Sequence, residues 1–267
     1  MWLKGGRKCA YKPQPNKDSR RLALPAFLSA EIFIVFETSN FELNLKPIPH
    51  TSMTKKEKAD YIIKELNKLY PHPALPLDYK SPYTLLIAVL LAARNTDVGV
   101  NKVTPALFAK ADNPRDMVKM DDAQIREIIR TVFMSERKAK AIHSLSQILI
   151  DKFNGEVPAD FEALEGLPGV GHKTASVVMS LAFNTPAFPI DTHIQRMMIR
   201  WGVSDGKNVE QIEEDAKNFF PEKKWSKLYL QITLYGREYS PARFPSLSRD
   251  FITAKIANKK VLKEYNP

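Results

Sequence analysis

From position 53 onward, apolar residues recur at helical spacing, and no strand-like alternation competes with them. Ile62, Ile63, Leu66 and Leu69 share one face of a helix that Thr54 is placed to cap. Ser81-Pro82 opens a second helix over 83–93, Asn113-Pro114 a third and Asp121 a fourth. Each start carries a polar cap, and two have proline at the first helical position, where its missing N–H costs nothing. Over 135–153 the stripe Ala139, Ile142, Leu145, Ile148 and Leu149 predicts a long amphipathic helix, which Asn154-Gly155 ends. The pattern predicts an all-α fold of helices joined by short loops, without repeats or low-complexity tracts.

Residues 1–52 follow a different grammar. They hold Pro13, Pro15, Pro25, Pro47 and Pro49, a basic opening, and an apolar stretch at 30–36 that Glu31 interrupts. With no small-residue cleavage pattern, an export or transit signal fits poorly. The expectation is a disordered or spurious extension, with Met53 as a natural start. The longest apolar runs, such as 85–93, reach about half of the roughly 20 residues a membrane-spanning helix needs, so no span is expected.

Charge narrows the partners. Lys and Arg number 40 against 30 Asp and Glu in 267 residues, a net +10. Residues 1–52 contribute 8 basic and 4 acidic side chains, leaving 32 against 26 in the remainder. That balance favours a polyanion without identifying one. A single cysteine, Cys9, excludes an internal disulfide framework and any cysteine-cluster metal site, and suits a reducing compartment. The five histidines show no metal-ligand spacing, so no side-chain metal site is expected.

The segment 164–175, Leu-Glu-Gly-Leu-Pro-Gly-Val-Gly-His-Lys-Thr-Ala, lies between two helical patterns and reads as helix, tight turn, helix. Gly169 and Gly171 are expected to take positive φ and to let another molecule approach the backbone. The second helix aims its free N–H groups at the turn, which makes a site for phosphate independent of base sequence. Lys173 falls in the first turn of that helix, and Asp191 follows eighteen residues later in Pro-Ile-Asp-Thr-His. A plain helix-to-helix turn, a surface lysine and an N-capping Asp191 are the bland alternatives.

The segment 167–175, the run 190–196 (Ile-Asp-Thr-His-Ile-Gln-Arg) and Asn-Val-Glu-Gln at 208–211 together resemble endonuclease III, a likeness extending over about 53–237. The resemblance places the chain in the helix-hairpin-helix, Gly/Pro/Asp superfamily. It implies two helical domains flanking a DNA-binding cleft: 75–184, with six helices including the hairpin, and 53–74 joined to 185–267. It also implies a base-excision repair DNA glycosylase with abasic-site lyase activity on double-stranded DNA carrying damaged bases or abasic sites. In this reading Lys173 attacks the sugar and Asp191 stabilises the charge that develops. Leu167, Gly169, Val170, Gly171, His172 and Thr174 meet the DNA backbone. A helix amino end and partial desolvation both disfavour an ammonium, as a nucleophilic lysine requires.

Three departures from the family pattern stand out. Ser240, Leu247, Asp250 and Ile256 occupy the places of four cysteines that hold a 4Fe-4S cluster in most members, so no cluster is expected. Arg94 replaces a glutamine that fills the gap left by the extruded nucleotide, a space a planar guanidinium also fills. Phe133-Met134-Ser135-Glu136 replaces Gly-Leu-Tyr-Asn. Oxidised pyrimidines are the expected substrate. Another lesion class, or a non-catalytic hairpin protein that binds DNA, are the alternatives. A monomer in the bacterial cytoplasm, or in mitochondria or nucleus of a eukaryote, completes the expectation.

Overall fold

The computed structural model describes residues 53–265; the expectations for residues 1–52, Cys9 included, lie outside them. Helices α1 (Lys55–Leu69), α2 (Pro82–Ala92), α3 (Asp97–Asn101), α4 (Thr104–Lys110), α5 (Pro114–Met117), α6 (Asp122–Ile128), α7 (Ser135–Phe153), α8 (Phe161–Glu165) and α9 (His172–Ala182) come first. They are followed by α10 (Thr192–Arg200), α11 (Val209–Phe219), α12 (Trp225–Glu238), α13 (Phe251–Ile256) and α14 (Lys259–Glu264), with no strand among the described residues. No helix among them is long and apolar enough to cross a membrane.

Local signals set the boundaries. Thr54 and Glu57 form a reciprocal capping box at α1, and Ser81 caps α2 just ahead of Pro82. Helix α2 is apolar all round, and Tyr83 through Leu91 are buried without a break, so it runs through the core. Against it pack α9 and α7. The end of α7 follows its sequence signal: Asn154 and Gly155 both turn to positive φ, and the Gly155 N–H returns to the Leu149 carbonyl at 2.8 Å.

The principal pairings fall into two sets. In one, α2 packs with α9 and α7, α7 with α5 and α6, and α8 with α9. In the other, α10 and α1 both pack on α12, with α11 and α13 beside them. Polar links join the sets: Arg237 of α12 pairs with Asp97 of α3, and His172 of α9 meets Glu213 of α11 at 3.0 Å.

Candidate active site at the helix hairpin

Helix α8, the turn 166–171 and α9 make the predicted hairpin. Gly169 takes φ +79°, and a methyl group there would press on Ala141 at 3.0 Å and Leu90 at 3.1 Å, so conformation and packing both demand glycine. Gly171 departs from expectation: its φ is −106°, open to any residue. What distinguishes it is space, since a methyl group there would touch nothing within 4 Å. As the N-cap of α9 it offers no side-chain oxygen, which leaves the helix N–H groups facing outward for an anion. Leu167 and Val170 are buried, and the Val170 N–H donates to the Leu167 carbonyl at 3.1 Å within the turn.

Lys173 and Thr174 of α9 line a cavity of about 260 Å³ together with Arg94, Asp191, Thr192 and Thr233. Lys173 is exposed, so the expected desolvation is not supplied by the chain itself. Asp191 uses its two oxygens differently. Oδ1 caps α10 by accepting from the N–H groups of His193 and Ile194, both at 2.8 Å. Oδ2 accepts from the Thr233 hydroxyl at 2.9 Å, which fixes the carboxylate plane at the cavity wall. The capping and cavity roles therefore coexist in one side chain. Thr233 carried no sequence signal, lying 42 residues downstream in the middle of α12.

His172 sits at the hairpin, with Glu165 at 2.7 Å and Glu213 at 3.0 Å from its two ring nitrogens. Burial opposes its charge, yet these carboxylates outweigh that and raise its pKa above the ordinary 6.5. His193, half-buried at the cavity, shifts the other way: burial leads, and the nearby Arg196 and Arg237 help to keep it neutral. Its Nδ1 lies 2.9 Å from the Arg196 guanidinium, which donates to it.

Ser240, Leu247, Asp250 and Ile256, the positions at which the resemblance places cluster cysteines, are occupied by groups with other work. Asp250 is fully buried. Its Oδ1 accepts from Tyr235 Oη at 2.9 Å and Thr253 N at 3.2 Å, and its Oδ2 from Tyr265 Oη at 2.6 Å and from Ser240 Oγ. Arg200 donates to Ser240 Oγ at 2.6 Å and to the carbonyls of Ser240 and Pro241, both at 3.0 Å. Leu247 and Ile256 are apolar. With no thiolate among the four and the two polar ones already engaged, these residues do not fit an iron-sulfur cluster. Among the described residues no group of three or more His, Cys, Asp or Glu is placed to hold a metal ion.

Comparison with known proteins agrees with this geometry. Residues 87–222 match the model of the HhH-GPD superfamily, base excision DNA repair proteins. Endonuclease III of Escherichia coli strain K12 is 42% identical over 190 residues, which span 71% of this chain and 90% of the relative. Among solved structures, a trapped endonuclease III–DNA covalent intermediate with an estranged adenine superposes with a TM-score of 0.70 at 38% identity, covering 73% of this chain and 92% of that one. A non-covalent endonuclease III–DNA complex gives a TM-score of 0.75 at 35% identity, covering 80% and 100%. With its hairpin, its lysine and its capping aspartate in place, the chain belongs to the endonuclease III family of the HhH-GPD superfamily of base excision DNA repair proteins.

Proposed function

We infer that the chain is a bifunctional DNA glycosylase and abasic-site lyase that removes oxidised pyrimidines from double-stranded DNA. The observation that carries this reading is the convergence of Lys173, from the amino end of α9, and Asp191, from the cap of α10, on one cavity beside an open hairpin. The DNA enters between the set of helices α2–α9 and the set formed by α1 and α10–α13, which act as two lobes.

The residues then divide the chemistry. The hairpin N–H groups and the backbone of 167–171 hold a phosphate and set the register of the duplex. The duplex covers the exposed Lys173 and supplies the desolvation that the chain lacks. The unprotonated Lys173 Nζ attacks the sugar C1′, the C1′–N bond breaks, and its electron pair leaves with the base, which takes up a proton. Asp191, its plane fixed by Thr233, faces the positive charge that builds on the sugar. Opening of the sugar ring leaves an imine between C1′ and Lys173. Loss of a C2′ proton then expels the 3′ phosphate and cleaves the strand.

The chain performs this without a 4Fe-4S cluster, because the groups at the cysteine positions form a hydrogen-bonded clasp of their own. It acts as a monomer on the duplex, in a cytoplasmic setting if its source is bacterial.

Borohydride tests the central claim. Mixed with duplex carrying one abasic site, the protein forms an imine that borohydride reduces to a stable secondary amine, seen as a covalent complex. Lys173→Gln abolishes the complex. A wild type that binds the duplex and traps none of it refutes the lyase assignment.

A further inference from the structure

The loops that hold two of the departures from the family pattern, Arg94 and Phe133, are joined by a third residue, Asn95. Arg94 and Asn95 follow the end of α2, and Phe133 precedes α7, 39 positions after Arg94. Both ends of the Asn95 carboxamide are engaged with backbone. Its Nδ2 donates to the Leu91 carbonyl at 2.8 Å and the Ala93 carbonyl at 3.0 Å, and its Oδ1 accepts from the Phe133 N–H at 2.9 Å. Turned over, the carboxamide would set its oxygen against two carbonyls, so only this orientation serves. One side chain thus satisfies carbonyls at the end of α2 and ties them to the chain entering α7.

The two loops need such a tie. Arg94 has φ +60° and Met134 φ +58°, a region in which a residue with a side chain stays only where its surroundings hold it. Lys138 of α7 reinforces the tie from below. Buried, it donates to the same two carbonyls, Leu91 at 2.9 Å and Ala93 at 2.7 Å, and its charge suits the negative end of α2. On the outer side the Arg94 guanidinium lies over the Phe133 ring, its central carbon 5.6 Å from the centroid, but both side chains are exposed and a cation–π contact in water is weak. The polar tie beneath, rather than the aromatic contact above, therefore fixes the pair of loops.

What the tie holds is a wall of the candidate active site. Ala92, Ala93, Arg94 and Asn95 line the same cavity as Lys173 and Asp191. We propose that Asn95 is a positioning residue: by fastening the end of α2 to the entrance of α7, it fixes the 92–95 wall of the cavity in which the extruded base is held for release. This rests on the glycosylase reading above. A base bonded to the C1′ that Lys173 attacks starts within a few ångströms of Nζ, so it lies in this cavity, and attack at the right angle needs walls that do not yield. An abasic sugar carries no base to press on the wall. Asn95 therefore bears on base release and not on formation of the imine.

The test sets two rates side by side for the full chain: single-turnover release of one oxidised pyrimidine, thymine glycol, from duplex DNA, and borohydride trapping on the same duplex carrying an abasic site. Asn95→Ala should slow base release about ten- to a hundred-fold, the cost of misplacing a bound group by about an ångström, and leave trapping at the wild-type rate. Trapping also measures the folded protein, so a general loss of structure lowers both rates together. Asn95→Asp keeps the acceptor for the Phe133 N–H and brings its charge to the carbonyls that Lys138 already holds; it should release the base faster than the alanine variant. Base release by Asn95→Ala as fast as wild type, or equal losses of release and trapping in both variants, overturns the proposal. A wild type that releases and traps, beside an alanine variant that does both equally well, removes only the role of Asn95. A wild type that does neither removes the functional reading beneath it.

Discussion

Replacing Asp250 by alanine should loosen the carboxyl-terminal region more than any other single polar change. The carboxylate is fully buried and accepts from three hydroxyls and one backbone N–H, the last being the cap of α13. Each donor stranded in the interior costs about 1–3 kcal/mol, but one of the hydroxyls finds a partial replacement. Ser240 Oγ and Tyr265 Oη stand 3.5 Å apart, so one can donate to the other. Removing a buried negative charge gives back a further part. A net loss of about 3–4 kcal/mol remains, which for a domain of this size lowers Tm by roughly 6–16 °C. Tyr265→Phe, which deletes one hydroxyl and keeps the ring, should cost only about 1 kcal/mol, or roughly 2–4 °C. Calorimetric scans of the three proteins at one pH decide the matter. An alanine variant within about 3 °C of wild type, or a phenylalanine variant as unstable as alanine, would show that the clasp does not hold this region.

Other expectations follow from the same geometry. Thr233→Val keeps the shape of α12 but takes the donor from Asp191 Oδ2; if that bond is worth about 1–2 kcal/mol, base release should slow roughly 5- to 30-fold with Tm nearly unchanged, and an unaltered single-turnover rate argues against the orienting role. His172 should titrate above 6.5 by NMR, because Glu165 and Glu213 outweigh its burial. With the folded pKa raised, its stabilising contribution is complete below pH 6.5 and fades as pH climbs through the raised value; Glu213→Gln should bring the titration down, and a histidine indifferent to that change refutes the pairing. Tyr265 is pushed up to about 12, first by burial and then by its bond to Asp250. Its contribution is whole below pH 10 and lost as pH rises toward 12, so wild type should lose Tm over that window more steeply than Tyr265→Phe.

What the sequence made legible was local. The Thr54 cap of α1, the Ser-Pro opening of α2 and both ends of α7 depend on neighbours within a few residues, and each stands where the pattern placed it. The hairpin was legible for the same reason, but the two glycines were not equivalent: only Gly169 needs its positive φ, while Gly171 keeps a surface open. Partners distant in the chain left no mark. Thr233 on Asp191, Glu213 on His172 and Phe133 under Arg94 are joined by packing alone, and none falls in a motif. Lys173 shows the remaining limit. Its place at the helix amino end was readable, but its exposure was not, because exposure depends on how elements distant in the chain pack around it.

The clasp and the proposed active site are mechanically continuous through α10. At its amino end Asp191 caps the helix and takes the Thr233 hydroxyl of α12. Along the same helix Arg196 donates to the Ser240 carbonyl at 2.9 Å and the Gly236 carbonyl at 2.8 Å, and Arg200 reaches Ser240 and Pro241. Helix α10 is therefore pinned to the end of α12 and the residues just after it by these four bonds, and Asp250 holds Ser240, the residue on which two of them converge. Whatever keeps Ser240 in place also keeps the axis of α10, and with it the direction of the Asp191 carboxylate. A cluster bound at four cysteines would anchor the same stretch by covalent bonds to metal. Here a buried carboxylate with three hydroxyl donors supplies the anchor, at hydrogen-bond strength and with no redox chemistry of its own. The direction of the Asp191 carboxylate thus rests on hydrogen bonds that the chain's own side chains make.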